Sequence, residues 1–100
     1  MQLKIVAKYQ NKEYNDMSKL EKEIERLKSK PKDYTYAEAK SLLNKLGYIE
    51  NNKGKTSGSR VIFINKDNIK IELHKPHPKN TLKAYQIENI LKILTEGGEL

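Results

Sequence analysis

The chain has 100 residues, of which 36% are hydrophobic and 33% are charged, so it has room for one thin core. It contains no cysteine, which excludes disulfides, thiolate metal sites and cysteine nucleophiles. No apolar run approaches the ~20 residues that a membrane span needs, and the first residues lack the apolar centre of a signal peptide. We therefore expect a cytoplasmic protein that does not enter the membrane and needs no metal or other cofactor.

The positive charge is concentrated in one part of the chain. The formal net charge is +7, and between Lys53 and Lys83 eight basic residues stand against two acidic ones, a surplus of six. A localised positive field favours the phosphates of a nucleic acid or an acidic protein as the partner. A lysine-rich surface without a partner is the alternative.

Residues 1–16 are predicted to form an N-terminal extension of uncertain order, because weak strand-like alternation is followed there by a polar run. A helix start follows Met17 directly, so a further hypothesis makes Met17 the true initiator. Peptides from residues 1–16 in mass spectrometry of the native protein would refute that hypothesis. Residues 17–100 are expected to form a single domain.

The first helix is predicted over residues 19–29. Ser18 and Glu21 have the spacing of a capping box, in which each side chain binds a free backbone N–H of the first turn. Apolar residues follow at helical spacing and form one narrow stripe: Leu20, Ile24 and Leu27. Pro31 lies just beyond the predicted end, where it disfavours further helix.

A second capping box, Thr35 with Glu38, predicts a helix over residues 36–46. Its apolar face consists of Ala39, Leu42, Leu43 and Leu46. Gly47 stands where a left-handed C-terminal cap is expected, since glycine adopts that conformation without steric cost.

Three strands are predicted next, over residues 48–50, 60–64 and 69–74. The loop over residues 51–59 is rich in turn-forming residues, and residues 65–68 have the composition of a hairpin turn. The third strand alternates apolar and polar residues, which is the pattern of a strand with one face in water.

The last helix is predicted over residues 82–95, with Asn80 or Thr81 as its cap. Its apolar face consists of Ile87, Ile90, Leu91 and Leu94, with Tyr85 and Ile93 beside them. The order of elements predicts an α+β fold, a three-stranded antiparallel sheet with helices packed on one face.

The two histidines, His74 and His77, are candidates for acid–base chemistry, because imidazole changes protonation near neutral pH. Cleavage of RNA by its own 2′-hydroxyl needs such a group together with a cation that stabilises the phosphorane. Two surface histidines without a catalytic role are the alternative. Metal binding is disfavoured, because cysteine is absent and further ligands are not apparent.

The loop before the second strand has features of an anion site. Gly58 and Ser59 leave backbone N–H groups available to an anion, and Arg60 can bind a phosphate through two donors. A flexible loop without a ligand is the alternative. Residues 54–56 match only the end of a P-loop, since Ile49 stands where its first glycine is required, so a nucleoside-triphosphatase is excluded.

Residues 34–94 resemble the HicA toxins of bacterial toxin–antitoxin systems. The resemblance is carried by a capped helix ending in Leu-Gly, an aromatic-led strand, a Gly-Ser entry to an apolar strand, and a His-Pro pair before the last helix. In this sequence those features are Leu46-Gly47, Tyr48-Ile49, Gly58-Ser59 followed by Arg60–Phe63, His77-Pro78 and Leu82-Lys83. The helix predicted over residues 19–29 resembles the extension of a longer subgroup.

The resemblance implies a double-stranded-RNA-binding-like fold, cleavage of mRNA without ribosomes and neutralisation by a HicB-like antitoxin. The family's catalytic histidine directly follows Gly-Ser, and Arg60 stands at that position here. Arginine remains charged and cannot act as a base near neutral pH, although it can stabilise a phosphorane. Either His74 or His77 has taken over proton transfer, or the protein binds RNA or an antitoxin without cleavage.

The predicted catalytic residues are thus Arg60, His77 and His74. The predicted RNA-binding residues are Gly58, Ser59, Lys53, Lys55, Lys70, Lys75 and Lys79. The contact surface is expected to be the wet strand face with Lys70 and His74, recognising RNA by its A-form shape. A non-catalytic RNA-binding module and a protein-interaction domain remain the rival functions.

Overall fold

The computed structural model describes residues 17–51, 60–76 and 80–100. In chain order the described elements are α1 (Lys19–Lys28), α2 (Tyr36–Lys45), β1 (Ile49–Asn51), β2 (Arg60–Ile64), β3 (Lys70–His74) and α3 (Ala84–Glu96). This order confirms the predicted α+β class. The N-terminal extension and the loop over residues 52–59 lie outside the described residues, as do residues 77–79.

Both predicted capping boxes are confirmed. In α1 the Ser18 hydroxyl accepts from the Glu21 N–H at 3.2 Å, and the Glu21 carboxylate accepts from the Ser18 N–H at 2.9 Å. Thr35 and Glu38 form the same pair of bonds at the start of α2, at 3.1 and 3.0 Å. These bonds satisfy backbone donors that have no partner inside the helix. Gly47, at φ +93°, adopts the left-handed conformation predicted after α2.

The three strands form an antiparallel sheet in the order β1-β2-β3. The turn between β2 and β3 is set by Asn65, whose side-chain oxygen accepts from the N–H groups of Asp67 and Ile69, each at 2.9 Å. Asn68 adopts φ 63°, a left-handed conformation that asparagine tolerates better than most residues. This turn fixes the register of β2 against β3 and therefore decides which side chains share a face.

The sheet has one buried face and one open face. The inner face carries the buried side chains Val61, Phe63, Ile71 and Leu73. The alternate residues of β2 and β3 form the outer face: Arg60, Ile62, Ile64, Lys70, Glu72 and His74. On β2 the outer apolar residues Ile62 and Ile64 are half-buried, whereas the outer residues of β3 are exposed.

One core cluster joins the inner face to all three helices. Its largest fully buried side chains are Tyr34, Tyr48, Phe63, Ile24, Leu27, Leu42, Leu43, Ile71, Leu73, Ile87, Ile90 and Leu94. Helix α1 contributes Ile24 and Leu27 and packs on both α2 and α3, so it is part of the core. None of the described helices is both long enough and apolar enough to cross a membrane.

The predicted start of the last helix was wrong. Helix α3 begins at Ala84 rather than Leu82, and its N-cap is Lys83, which makes no side-chain capping bond. Neither Asn80 nor Thr81 caps the helix.

Tertiary pairing explains the later start of α3. Thr81 forms a β-bridge with Thr35, and the Leu82 N–H donates to the Tyr34 carbonyl at 2.8 Å. Leu82 is also buried, at 4% exposure. The segment before α3 is therefore held extended against the segment before α2, and it cannot also take helical dihedral angles.

Candidate active site

Three ionisable side chains meet at one end of the outer face. Arg60 is the first residue of β2 and His74 is the last of β3, and the register pairs them directly. Glu72 lies two residues before His74, on the same face and diagonal to Arg60. The Glu72 Oε2 atom is 3.9 Å from the Arg60 Nη1 atom and 3.7 Å from the His74 Nε2 atom. We call this group the Arg60–Glu72–His74 cluster.

The cluster is open to solvent. The side chains of Arg60, Glu72 and His74 are 43%, 47% and 50% exposed. Both separations exceed the 2.7–3.2 Å range of a direct N–H···O hydrogen bond, so neither donor is saturated by the carboxylate. A phosphate can therefore reach the guanidinium and the imidazole without first displacing a buried ion pair.

Helix α3 holds the backbone of His74 in place. The Gln86 side chain is buried, at 5% exposure. Its oxygen accepts from the His74 N–H at 2.7 Å, and its nitrogen donates to the His74 carbonyl at 3.4 Å. Because β3 lies at the edge of the sheet that the described strands form, these bonds satisfy backbone groups that face away from β2. The backbone that carries the imidazole is thereby held against α3.

A cavity of about 400 Å³ opens between the cluster and α3. Its lining consists of Glu72, His74, Tyr85, Gln86 and Asn89. The cavity places a carboxylate, an imidazole, a phenol ring and an amide around one space, which is a suitable lining for a polar, planar ligand.

The predicted phosphate-binding lysines that the structure describes have different surroundings. Lys70 lies on the outer face opposite Ile64, at the other end of β3 from His74. The Lys75 ammonium is 5.7 Å from the centroid of the Tyr36 ring, so it lies over the first residue of α2. The other predicted site residues lie outside the described residues: Lys53, Lys55, Gly58, Ser59, His77 and Lys79.

Chain connectivity relates these undescribed residues to the cluster. Residues 52–59 lead directly into Arg60, and residues 75–79 leave directly from His74. Because β2 and β3 are antiparallel and these two residues pair, both segments join the sheet at the same end. The basic residues of the two segments are therefore attached at the end of the sheet that carries the cluster.

Another ionic cluster, between α1 and α2, is structural in character. Arg26 pairs with Glu38 and, at 3.2 Å, with Asp33. The hydrogen bonding that Arg26 donates to the Glu38 carboxylate lowers the pKa of Glu38 and raises the pKa of Arg26. A cavity of about 290 Å³ lies beside them. Since these charges already satisfy one another, the arrangement joins two helices and leaves little attraction for a charged ligand.

Within residues 17–51, 60–76 and 80–100, no three acidic or histidine side chains are placed to hold a metal ion. The cluster itself contains one carboxylate and one imidazole beside a permanent cation, and the Arg60 charge would repel a metal bound there.

The sequence interpretation missed two members of this site. Glu72 was assigned only to the wet face of a strand, and Gln86 was not singled out. The register of β2 against β3 brings Glu72 close to both the Arg60 guanidinium and the His74 imidazole. A polar residue on the apolar stripe of α3, directly before Ile87, was the signal that could have drawn attention to Gln86.

Comparison with protein-family models shows the family of the chain. Residues 36–94 match the family model described as the HicA toxin of bacterial toxin–antitoxin systems. The chain belongs to the HicA toxin family. The match begins at the first residue of α2 and ends in α3, so it contains the whole Arg60–Glu72–His74 cluster and Gln86. Helix α1 precedes the segment that matches the HicA family. Searches of curated proteins and of solved structures gave no match.

Proposed function

We propose that this HicA-family toxin binds mRNA and cleaves it as a ribosome-independent endoribonuclease, and that a HicB-like antitoxin neutralises it in the cytoplasm. The observation that carries the proposal is the Arg60–Glu72–His74 cluster, in which a phosphate-binding cation and a proton-transfer group lie side by side on an open sheet face. The family membership and the positive charge of the surrounding chain support it.

The register offers an explanation for the arginine at the family's histidine position. Arg60 follows Gly-Ser, where the family resemblance implies the catalytic histidine. His74 is the direct cross-strand partner of that position. An imidazole is thus retained at the same end of the sheet, carried by β3 instead of β2. We propose that His74 performs the proton transfer and that Arg60 binds the scissile phosphate.

The proposed reaction is transesterification within the RNA. Neutral His74 takes the proton from a 2′-hydroxyl, and the 2′-oxygen attacks the adjacent phosphorus. The bond from phosphorus to the 5′-oxygen breaks, and that oxygen takes a proton from water, which gives a 2′,3′-cyclic phosphate and a 5′-hydroxyl. Arg60 stabilises the charge of the phosphorane, and Glu72 stabilises the imidazolium. His74 returns its proton to solvent.

RNA binding would extend beyond the cluster. Lys70 lies on the same outer face. Lys53, Lys55, Gly58 and Ser59 precede Arg60, while Lys75, His77 and Lys79 follow His74. We propose that these residues contact phosphates on both sides of the scissile bond. His77, which directly follows the last described residue of its segment, is the second candidate for proton transfer.

One observation favours a rival function, RNA or antitoxin binding without cleavage. Arg60, which stands at the family's histidine position, cannot act as a base at neutral pH. In this reading the cluster is an anion-binding surface, and cell growth would be affected only by sequestration of RNA.

Growth and cleavage assays test the proposal. Induced expression in a bacterium is expected to arrest growth with loss of mRNA, and purified protein should release fragments with cyclic phosphate ends. His74→Ala should abolish cleavage, and Arg60→Ala should lower both cleavage and binding. Lys66→Ala, in the exposed turn at the other end of the sheet, is the matched control and should change neither.

Binding at several salt concentrations separates the rivals. A steep fall in RNA affinity between low and physiological salt indicates phosphate contacts. RNA binding without cleavage by the soluble wild type would establish the non-catalytic module. If RNA does not bind even at low salt, the basic surface serves a protein partner. Co-expression with a HicB-like protein encoded beside the gene should restore growth if the toxin proposal is correct.

A further inference from the structure

Tyr85 is an exposed aromatic residue that the core does not require. Among the described residues, the large hydrophobic side chains classed as exposed are Ile49 and Tyr85, at 65% and 60%. Tyr85 lies in the first turn of α3, whose buried residues are Gln86, Ile87, Ile90 and Leu94. Its ring therefore faces away from the core, at a position where a polar residue would satisfy the fold equally well.

The ring of Tyr85 borders the same cavity as the imidazole of His74. The two are linked through Gln86, which is adjacent to Tyr85 in sequence and hydrogen-bonded to both backbone groups of His74. The backbone of α3 next to Tyr85 is thus tied to the backbone of His74 through the buried Gln86 side chain.

Asn89 completes the lining of the cavity. It lies four residues after Tyr85, so the two side chains share one face of α3, and it is exposed. A carboxamide both donates and accepts hydrogen bonds, which matches the mixed donor and acceptor edge of a nucleobase. The cavity thus offers the Tyr85 ring for stacking and the Asn89 carboxamide for hydrogen bonds to the edge of a base, next to the His74 imidazole.

We propose that this cavity binds an unpaired nucleobase next to the scissile phosphate, with its ring stacked on Tyr85 and its edge bonded to Asn89. The inference rests on the proposed function and narrows the substrate class to single-stranded RNA. A base in a duplex is stacked and paired, so it cannot enter the cavity. This site differs from the shape-based recognition of an A-form duplex that the sequence led us to expect.

We infer a nucleobase as the ligand of this cavity from the nearby positive charge and the aromatic ring together. Aromatic side chains beside cationic groups are the usual platform for single-stranded nucleic acids, since the cations hold the backbone and the rings hold the bases. Here Arg60, the cross-strand partner of His74, is the cation, and Tyr85, which lines the same cavity as His74, is the ring. A protein partner on the same cavity is the competing occupant, and the experiment below separates the two.

The experiment uses the full chain and short RNA with 2′-O-methyl riboses, which the proposed reaction cannot cleave. The affinity of the protein for this RNA is measured by fluorescence anisotropy of an end-labelled strand. Tyr85→Ala should weaken binding of the single strand roughly 10- to 100-fold, whereas Tyr85→Phe, which keeps the ring, should bind as the wild type does. Thr95→Ala, at an exposed and uncharged position near the other end of the same helix, is the control and should bind normally.

A fluorescence reporter tests stacking directly. The chain has no tryptophan, so Tyr85→Trp introduces a single indole at the cavity. Its emission should be quenched by the single strand and left unchanged by the same strand annealed to its complement. Circular dichroism confirms that each variant is folded, which is expected because the position is exposed.

The outcomes separate the inference from the function on which it rests. Normal RNA affinity in Tyr85→Ala, or unquenched emission while anisotropy shows binding, would overturn the nucleobase site and leave the proposed function standing. Duplex bound as tightly as single strand would also overturn it. Loss of antitoxin binding in Tyr85→Ala with normal RNA affinity would assign the cavity to the protein partner. If the wild type binds no RNA at low salt, both proposals fail.

Discussion

Replacement of Gln86 by alanine tests whether α3 holds the proposed catalytic strand in place. The buried carboxamide accepts from the His74 N–H at 2.7 Å and donates to its carbonyl at 3.4 Å. Without it, the His74 N–H loses a protein partner, and leaving such a group unsatisfied costs about 1–3 kcal/mol. Alanine is the better helix former, and this difference offsets only about 0.3 kcal/mol of that cost.

The expected loss in free energy of unfolding is therefore about 0.7–2.7 kcal/mol. In a domain of this size such a loss lowers the melting temperature by about 3–20 °C. The proposed cleavage should fall more than the stability explains, because His74 is no longer fixed.

Thermal unfolding followed by far-UV circular dichroism measures the effect, and cleavage is measured well below the melting temperature. Lys92→Ala is the matched control, since Lys92 is exposed on the same helix. If Gln86→Ala has the same melting temperature as Lys92→Ala, the bonds between α3 and β3 do not stabilise the fold. If it is destabilised but cleaves RNA normally, then Gln86 does not position His74.

Three further predictions concern the rest of the fold. Leu27→Ala, which empties a fully buried position in α1, should lower the free energy of unfolding by about 2–5 kcal/mol in urea titrations; a smaller loss would mean that α1 is not part of the core. The hydrogen bond from Arg26 lowers the pKa of Glu38, so the ionised carboxylate stabilises the fold fully above its unfolded-state pKa of ~4.3. This stabilisation is lost as the pH falls through the lower pKa of the folded state. Glu38→Gln should flatten the acid limb of the stability curve, and an unchanged limb would contradict this. Burial raises the pKa of Tyr36 to about 12, so the neutral phenol favours folding and stability should fall as the pH rises above ~10. In absorbance titration at alkaline pH, Tyr36→Phe should remove one late-ionising phenol, and an unchanged late phase would contradict the assignment.

Local sequence signals predicted most of the secondary structure. Both capping boxes formed as expected, because a side chain three residues from a free N–H can bind it in any tertiary setting. The strand over residues 60–64 was predicted with its observed bounds, and the alternation after residue 69 gave the correct wet face of β3. These features depend on residues that are close together in the chain.

The start of α3 could not be predicted in the same way. Asn80 and Thr81 have the composition of helix caps, but Thr81 pairs with Thr35, 46 positions earlier in the chain. A non-local backbone pairing therefore overrode a local propensity. Composition near residue 80 carries no information about what lies beside it in space.

The candidate site also depends partly on the local sequence and partly on contacts between distant segments. The sequence by itself determined that Arg60 and His74 terminate two strands, that the charge is concentrated around them, and that no cysteine chemistry is available. The tertiary structure alone decided that the two residues pair, that Glu72 lies between them, and that Gln86 and Tyr85 border the same cavity. Residue type and short-range spacing fix which chemical groups a chain carries, whereas strand register and helix docking fix which of them meet.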